Sequence, residues 1–528
     1  MSTTNRLVNP LLTDLYELTM AYAYWKHGRH EEHAVFDLFF RKNPFRGEFT
    51  VFAGLEEVLS FLEGFRYSDE QVDYLRTLLP ESEPAFFEWL RRVDLSGVTV
   101  HAVSEGSIVF PRVPLLRVEG PLALAQLLET TLLTLVNYPS LVATNAARFR
   151  LAAGMRKTLL EFGLRRAQGP DGGMSASRYA FMGGFDATSN VLAGMLFGIP
   201  PRGTHAHSYV QSFQSLEQIP SRVVPASDGQ SVDLVERTLA IRDRLRFNHT
   251  NQGELAAFVS YALAFPESFL ALVDTYDTLN SGVPNFICVA FALMEMGHQP
   301  IGVRLDSGDL AFLSKATRNM FASCGELLNK DVSHFKIAAS NDIDEAVLMS
   351  LNSEGHEIDI FGIGTRLVTC ESQPALGCVY KLVEIGGSPR IKLSQDLQKV
   401  TIPGRKEAYR LYGQRGFPLL DLMVQAGETP PHPGDQILCR HPFDETKRVL
   451  VTPSRVMPLH QCVWNGGRMA AERSIHDIRA DVLSQLASFR QDHLRLLNPT
   501  PYKVSVSAKL YDFIHRLWVE ESPLPELR

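Results

Sequence analysis

The chain has 528 residues and a mass of 59.0 kDa, more than one ordinary core holds, so a barrel-sized domain with one or two smaller ones is expected. Hydrophobic residues make up 45% and charged residues 21%, which excludes wholesale disorder. A formal charge of -7 and a pI of about 6.2 leave no general attraction for nucleic acid or an anionic membrane, so neither is expected as a partner, and polyphosphates would need a local site.

The opening MSTTNRLVNP lacks the apolar stretch of a signal peptide. "TDLYELTMAYAYWKHG" predicts a helix with Thr13 or Asp14 at its N-cap, Glu17 in the first turn and Gly28 at its end. On residue type alone, Tyr16, Tyr22, Tyr24 and Trp25 on this helix read as core. "HAVFDLFFRKNPF" predicts a strand that breaks at Asn43-Pro44. The apolar stretch from Leu122 to Val136 is interrupted by Gln126 and Glu129 and reads as a buried helix, not a membrane span.

From about 140 to 385 short β-rich runs alternate with helical stretches, the signature of βα units and parallel strands. "FLALVDTYDT" ends in Asp274; a helix (Pro284 to Met296) follows, then "PIGVRLDSGD", "FKIAASNDIDEAV" and "IDIFGIGTRLV". Polar residues fall just past each strand, where α/β folds build their sites. Beyond 390 the chain is richer in Pro, Gly and charge, with a turn at Glu428 to Asp435 and a closing helix from Ile475 to Leu497. The division expected is 1–140, 141–390 and 391–528: an N-terminal α/β domain, a catalytic domain and an accessory domain. The six cysteines, Cys288, Cys324, Cys370, Cys378, Cys439 and Cys462, have no zinc spacing and read as reduced thiols, which points to the cytosol.

Several strand-end loops carry groups suited to phosphate. In "FGIGT", Gly362 and Gly364 allow main-chain N–H groups to approach an anion and Thr365 adds a hydroxyl, although a tight turn explains the same residues. Ser340 and Asn341 close the preceding strand, and Asp344 is placed to N-cap the next helix. "RLDSGD" supplies Arg304 as a guanidinium fork, with Asp306 and Asp309 as hard oxygen ligands for Mg²⁺ or Mn²⁺; a surface ion pair is the plainer alternative. Arg165 and Arg166, with Arg148 and Arg150, suggest a local positive cluster. His205 and His207 in "GTHAHS" would face one way on a strand, leaving three readings open: a metal pair, core histidines, or an imidazole nucleophile with an orienting carboxylate.

The segments "NPLLTDLYELTMAYAYW", "SLVATNAARFRLAAG", "GLRRAQGPDGGMSAS", "GGFDATSNVLAG", "GTHAHSYVQSF", "YALAFPESFLALVDTYDT", "GVRLDSGDL", "SNDIDE" and "FGIGTRLVTC" together resemble nicotinate phosphoribosyltransferase, from about residue 10 to 385 and more weakly beyond. The long C-terminal part resembles the larger, eukaryotic-type members. The resemblance implies an irregular α/β barrel with an N-terminal α/β domain, and a homodimer with its site at the subunit interface. It implies transfer of phosphoribosyl from 5-phosphoribosyl 1-diphosphate to nicotinate, coupled to ATP hydrolysis, with magnesium, in NAD synthesis. His207 falls on the family's phosphorylated histidine, Thr204 on a nicotinate-site residue and Tyr16 on a tyrosine that stacks on the pyridine ring from the partner subunit. Arg304 falls on the nicotinate or ribose-phosphate site and Thr365 on the 5-phosphate contact, while Arg165 and Asp274 lie in substrate-side motifs. His205 receives no chemistry from the resemblance.

Three other readings compete. A nicotinamide-using relative would favour an acceptor over cationic donors at its substrate. A sugar-phosphate lyase or isomerase would need a strand-end lysine, and Lys336 sits within a strand. A type I phosphoribosyltransferase would carry two adjacent acids before Thr-Gly-Gly-Thr, which "VDTYDTLNSG" does not supply.

Overall fold

A computed structural model describes residues 5, 7–226, 231–396 and 399–522. Residues 1–4 and 6 of the segment read as lacking a signal peptide lie outside the described residues. The chain forms an α/β protein of two compact units, one built from residues up to Ala147, Met182–Gly184 and Cys370 onward, the other from Arg148–Phe181 and Phe185–Thr369.

The first unit draws its sheets from both ends of the sequence. One six-stranded antiparallel sheet has the order 388–389, Cys378–Ile385, His33–Phe40, Leu116–Pro121, Thr99–Val103, His460–Asn465. The strand His33–Phe40 is buried along seven of its eight residues, which explains its near-continuous apolar run. The predicted first helix spans Leu15–Lys26, with Asp14 at its N-cap and Gly28 beyond its end at φ +69°. Glu17 is buried in its first turn and accepts from Thr13 Oγ1 at 2.5 Å and from Thr130. Tyr22 packs edge-on against Phe86, whereas Tyr16 is 45% exposed, so the expectation of a core tyrosine at 16 is corrected. The apolar stretch at 122 is two helices, Leu122–Leu127 and Glu129–Ala153, and no helix among the described residues is long and apolar enough to cross a membrane. None of the six cysteines forms a disulfide, as expected.

The second sheet of this unit is six-stranded and mixed, and it encloses a buried ion pair. Arg410 and Asp421 face each other across the strands Lys406–Tyr412 and Pro418–Gln425, joined by two hydrogen bonds of 2.8 and 2.9 Å. Tyr502 donates to the same carboxylate, and the guanidinium lies over the rings of Phe110 and Phe489. The predicted closing helix stops at Ser488, with Gln491–Leu494 as a separate turn, because Phe489 takes an extended backbone and buries its ring against Phe110 and Tyr502. Removing one member of a buried pair strands the other charge, so Asp421→Ala should cost about 3–5 kcal/mol in chemical denaturation. A loss under about 1 kcal/mol would show the pair to be dispensable.

The second unit is the βα part of the chain. Its strands are β1 (Thr158–Glu161), β2 (Ala187–Thr188), β3 (Leu270–Leu272), β4 (Gly302–Leu305), β5 (Lys336–Ala339) and β6 (Ile360–Ile363), all parallel, in the order β3-β4-β5-β6-β1-β2. Helices α1 (Val283–Glu295), α2 (Leu310–Leu328) and α3 (Glu345–Glu354) follow β3, β4 and β5. Asp309 N-caps α2 by accepting from Phe312 N, and Asp344 N-caps α3 through Val347 N at 2.7 Å. The strands therefore end, and their helices begin, on one side of the sheet, which sets the polar strand-end residues together.

A buried acid braces the connection out of β3. The π-turn Thr278–Gly282 leads into α1, and a Cβ at Gly282 would lie 1.8 Å from Val273 O, so only glycine allows the approach. Ser281 Oγ donates to Glu254 Oε2 at 2.5 Å, and Asn285 Nδ2 donates to the same oxygen at 3.0 Å. Burial pushes the Glu254 carboxyl up to about 7; the Ser281 and Asn285 bonds oppose this, while Asp274 and Asp277 add to it. The cost of ionising Glu254 is absent below the ordinary value of 4.5 and complete above the folded value, so this group makes the fold less stable as pH rises through that window. The total is about 3 kcal/mol. Glu254→Gln should show a smaller fall in thermal midpoint than wild type between about pH 5.5 and about pH 8. Equal falls in the two proteins would contradict it.

Candidate active site

A cavity of about 650 Å³ opens at the carboxyl ends of β1, β4, β5 and β6, within the second unit. Its lining includes Phe162, Arg165, Arg166, Ser189, Gly203 to His207, Arg304, Asp306, Ser340 to Ile343, and Gly364 to Arg366. Most of the residues expected from the strand-end loops thus converge on one space, large enough for a phosphorylated substrate.

His207 opens a short helix, His207–Gln211, at the rim. Its Nδ1 lies 3.1 Å from Thr275 Oγ1, and its Nε2 faces Asp306 Oδ2 at 3.7 Å and Asp274 Oδ1 at 4.0 Å. These carboxylates are anchored in turn. Asp274, almost fully buried, accepts from Ser307 Oγ at 2.5 Å and from Asp306 N at 3.2 Å, and Ser340 Oγ donates to Asp306 Oδ1 at 2.6 Å. The loops after β3, β4 and β5 are therefore tied into one polar network beside the imidazole.

Arg304 projects from β4, and its Nη1 donates to Thr204 Oγ1 at 3.0 Å. Burial draws this guanidinium below its ordinary value, with Asp306 and Asp274 opposing the shift. Arg304 Nε and Asp274 Oδ1 are both buried with no hydrogen-bond partner among the described residues, a donor and an acceptor left open at the same site. With Arg165, Arg166 and Arg366, the wall carries four arginines against Asp306 and Asp342, a cationic lining suited to anions in a chain that is acidic as a whole.

The glycine loop after β6 divides in role. Gly364, Thr365 and Arg366 line the cavity, whereas a Cβ on Gly362 would sit 2.5 Å from the Phe162 ring, so that glycine serves packing. Glu161 at the end of β1 accepts from Ser177 Oγ and Thr188 Oγ1 and from the Gly163 N–H, fixing the turn that leads to Arg165.

Other expectations are corrected. Arg148 and Arg150 do not extend the positive cluster; Arg148 is clamped bidentately by Glu345 at 2.7 and 2.8 Å, and Arg150 pairs with Asp186 at 2.6 Å, both arginines being buried. His205 and His207 are not a strand pair: they lie in a loop and at a helix start, and the His205 ring is buried against Tyr209, Phe258 and Tyr261. Among the described residues no group of three or more His, Cys, Asp or Glu is arranged to hold a metal. Asp309 is committed to capping α2 and lies outside the lining. Tyr16 belongs to the first unit. Sequence reasoning missed Thr275 and Arg366, each adjacent to a residue it chose, because nothing in the pattern distinguishes them from neighbours.

A parallel sheet with an arginine-rimmed cavity and a carboxylate-flanked histidine at its strand ends has the form of an enzyme site suited to phosphorylated substrates. The family model described as the nicotinate phosphoribosyltransferase N-terminal domain matches residues 11–137, and the C-terminal domain model of the same family matches 405–514. Nicotinate phosphoribosyltransferase 2 of Arabidopsis thaliana is 56% identical, over 99% of this chain and 97% of its own length. The nicotinate phosphoribosyltransferase of Dictyostelium discoideum is 55% identical, over 99% of this chain and 90% of its own. The crystal structure of the human nicotinic acid phosphoribosyltransferase superposes with a TM-score of 0.86 at 44% identity, covering 96% of this chain and 99% of that one. A nicotinate-nucleotide pyrophosphorylase from Pyrococcus furiosus, at 21% identity and a TM-score of 0.61, shares the fold. The chain belongs to the nicotinate phosphoribosyltransferase family.

Arg304 supplies a buried, anchored charge, so Arg304→Met should weaken binding of inorganic pyrophosphate about tenfold or more in titration calorimetry. Unchanged affinity would remove Arg304 from the anion site.

Proposed function

We propose that this chain transfers the phosphoribosyl group of 5-phosphoribosyl 1-diphosphate to nicotinate, giving nicotinate mononucleotide and diphosphate in NAD biosynthesis, with ATP hydrolysis coupled through His207. The observation that carries the reading is the His207 ring, held between Thr275 and two carboxylates on the rim of an arginine-lined cavity.

The electrostatics support a specific tautomer. Carboxylates on the Nε2 side favour a proton there, leaving the Nδ1 lone pair to accept from the Thr275 hydroxyl. Once the Thr275 hydroxyl turns away, that lone pair is the nucleophile: it attacks the terminal phosphorus of ATP as the bond to the ADP oxygen breaks, and the imidazolium charge is offset by Asp274 and Asp306. For transfer to nicotinate, Arg304, Arg165, Arg166 and Arg366 neutralise the departing diphosphate while the loops hold the pyridine nitrogen within reach of C1. The Thr365 hydroxyl and the main chain at Gly364, with Ser340 and Asn341, suit the 5-phosphate. Asp306, with Asp274 beside it, would hold Mg²⁺ or Mn²⁺, which would spread the leaving group's charge. The exposed Tyr16 ring is available to stack on the pyridine from a partner subunit, so we infer a homodimer.

The cationic wall suits an acid base more than an amide, which favours nicotinate over nicotinamide. A lyase or isomerase using Lys336 is disfavoured because that residue opens β5, at the amino end of the strand. Chromatography of reactions with phosphoribosyl diphosphate and either base, with and without ATP, tests the proposal. Nicotinate mononucleotide should form, faster with ATP, and nicotinamide should be poorly used. No nicotinate mononucleotide under either condition, or equal use of nicotinamide, would overturn it.

A further inference from the structure

His205 lies two residues before His207, and the proposed chemistry leaves it unused. Its ring is buried, 4.9 Å from Tyr261 between centroids and close to Tyr209 and Phe258. An apolar ring would fill that space equally well, whereas an imidazole buries two polar nitrogens that each need a partner. Packing alone therefore does not account for an imidazole here.

The sheet edge does account for it. Among the described residues β3 is the end strand of its sheet and pairs with β4 alone. Val273 N–H donates to Arg304 O, and alternation along the strand turns the N–H of Leu272 to the open side, where no strand of the described residues stands. That N–H donates to His205 Nε2, at 3.4 Å. The neighbouring loop residues are fixed to adjacent strand ends: Thr204 accepts from Arg304 of β4, and His207 meets Thr275 and Asp274 just beyond β3. Two steps along the loop, from His205 to His207, thus match two or three steps along the chain, from Leu272 to Asp274 and Thr275.

We propose that His205 is a positioning residue: as a neutral imidazole accepting the outward N–H of Leu272, it sets the register of the 203–207 loop against the edge strand and so places His207 opposite Asp274 and Thr275. Accepting at Nε2 requires the ring to be unprotonated on that nitrogen. Burial, reinforced by the Arg304 guanidinium and opposed by a hydrogen bond to the Ala206 backbone, holds the ring's titration down at about 4, so it stays neutral at working pH. The inference rests on the phosphoribosyl-transfer reading for its kinetic consequence, but not for the hydrogen bond itself.

Two variants and one spectrum test it. His205→Phe keeps the ring and removes the acceptor; His205→Gln restores an acceptor near the Nε2 position. His205→Phe should lower kcat about tenfold to a hundredfold, as misplacing a reacting group by about 1 Å does, with KM for nicotinate changed less than about twofold. His205→Gln should recover most of that loss. In ¹⁵N-histidine-labelled wild-type protein, with His205→Gln used to assign the signal, His205 Nε2 should give the resonance of an unprotonated ring nitrogen. Wild-type kcat in His205→Phe, no recovery in His205→Gln, or a proton on Nε2 would each overturn the proposal. If wild type itself makes no nicotinate mononucleotide, the functional reading fails, and the spectrum still decides the hydrogen bond.

Discussion

The site depends on one constraint: an imidazole must stand within about 4 Å of two carboxylates that come from different strands. Asp274 follows β3 and Asp306 follows β4, and a parallel sheet brings such ends together because every strand runs the same way. Two like charges so close would spread apart if left free. They are held by hydroxyl and main-chain donors, Ser307 and Asp306 N for Asp274, and Ser340 for Asp306. The carboxylates are thereby fixed before any ligand arrives, the arrangement that lets charge be stabilised without reorganisation.

The same constraint organises the surrounding charges. Arginines that could have enlarged the positive wall, Arg148 and Arg150, are neutralised by Glu345 and Asp186 inside the unit. Those lining the cavity outnumber its acids, so positive charge gathers at the strand ends. Arg410 and Asp421, away from the cavity, satisfy each other through two hydrogen bonds, whereas Arg304 Nε and Asp274 Oδ1 keep open hydrogen-bonding capacity at the strand ends.

Much of this was legible in the sequence, for identifiable reasons. A run such as "PIGVRLDSGD" states both its strand and the polar residues beyond it, so β3 to β6 and the cavity residues Arg304, Asp306, Ser340, Asn341 and Thr365 followed from period and punctuation. The role of His207 came from the family resemblance, since its neighbours Thr275 and Asp274 lie 68 and 67 positions away. Side-chain partners over such separations leave no local signal: the same holds for Arg148 with Glu345, and for the packing of Phe489 against Phe110 that ends the helix at Ser488. The sheets of the first unit, which join strands near 35 and 380, are invisible to any windowed reading for the same reason. His205 looked like half of a metal pair because alternation was assumed where the chain is a loop.

The central claim, that the His207 ring is the group through which ATP is coupled, is most directly tested by trapping. The enzyme is incubated with ATP labelled in its terminal phosphate, digested at alkaline pH and mapped by mass spectrometry. The structure predicts an acid-labile phosphate on the peptide containing His207, attached at Nδ1, and its loss in His207→Ala together with ATP stimulation. A phosphate on another residue, or full ATP coupling in His207→Ala, would contradict the account.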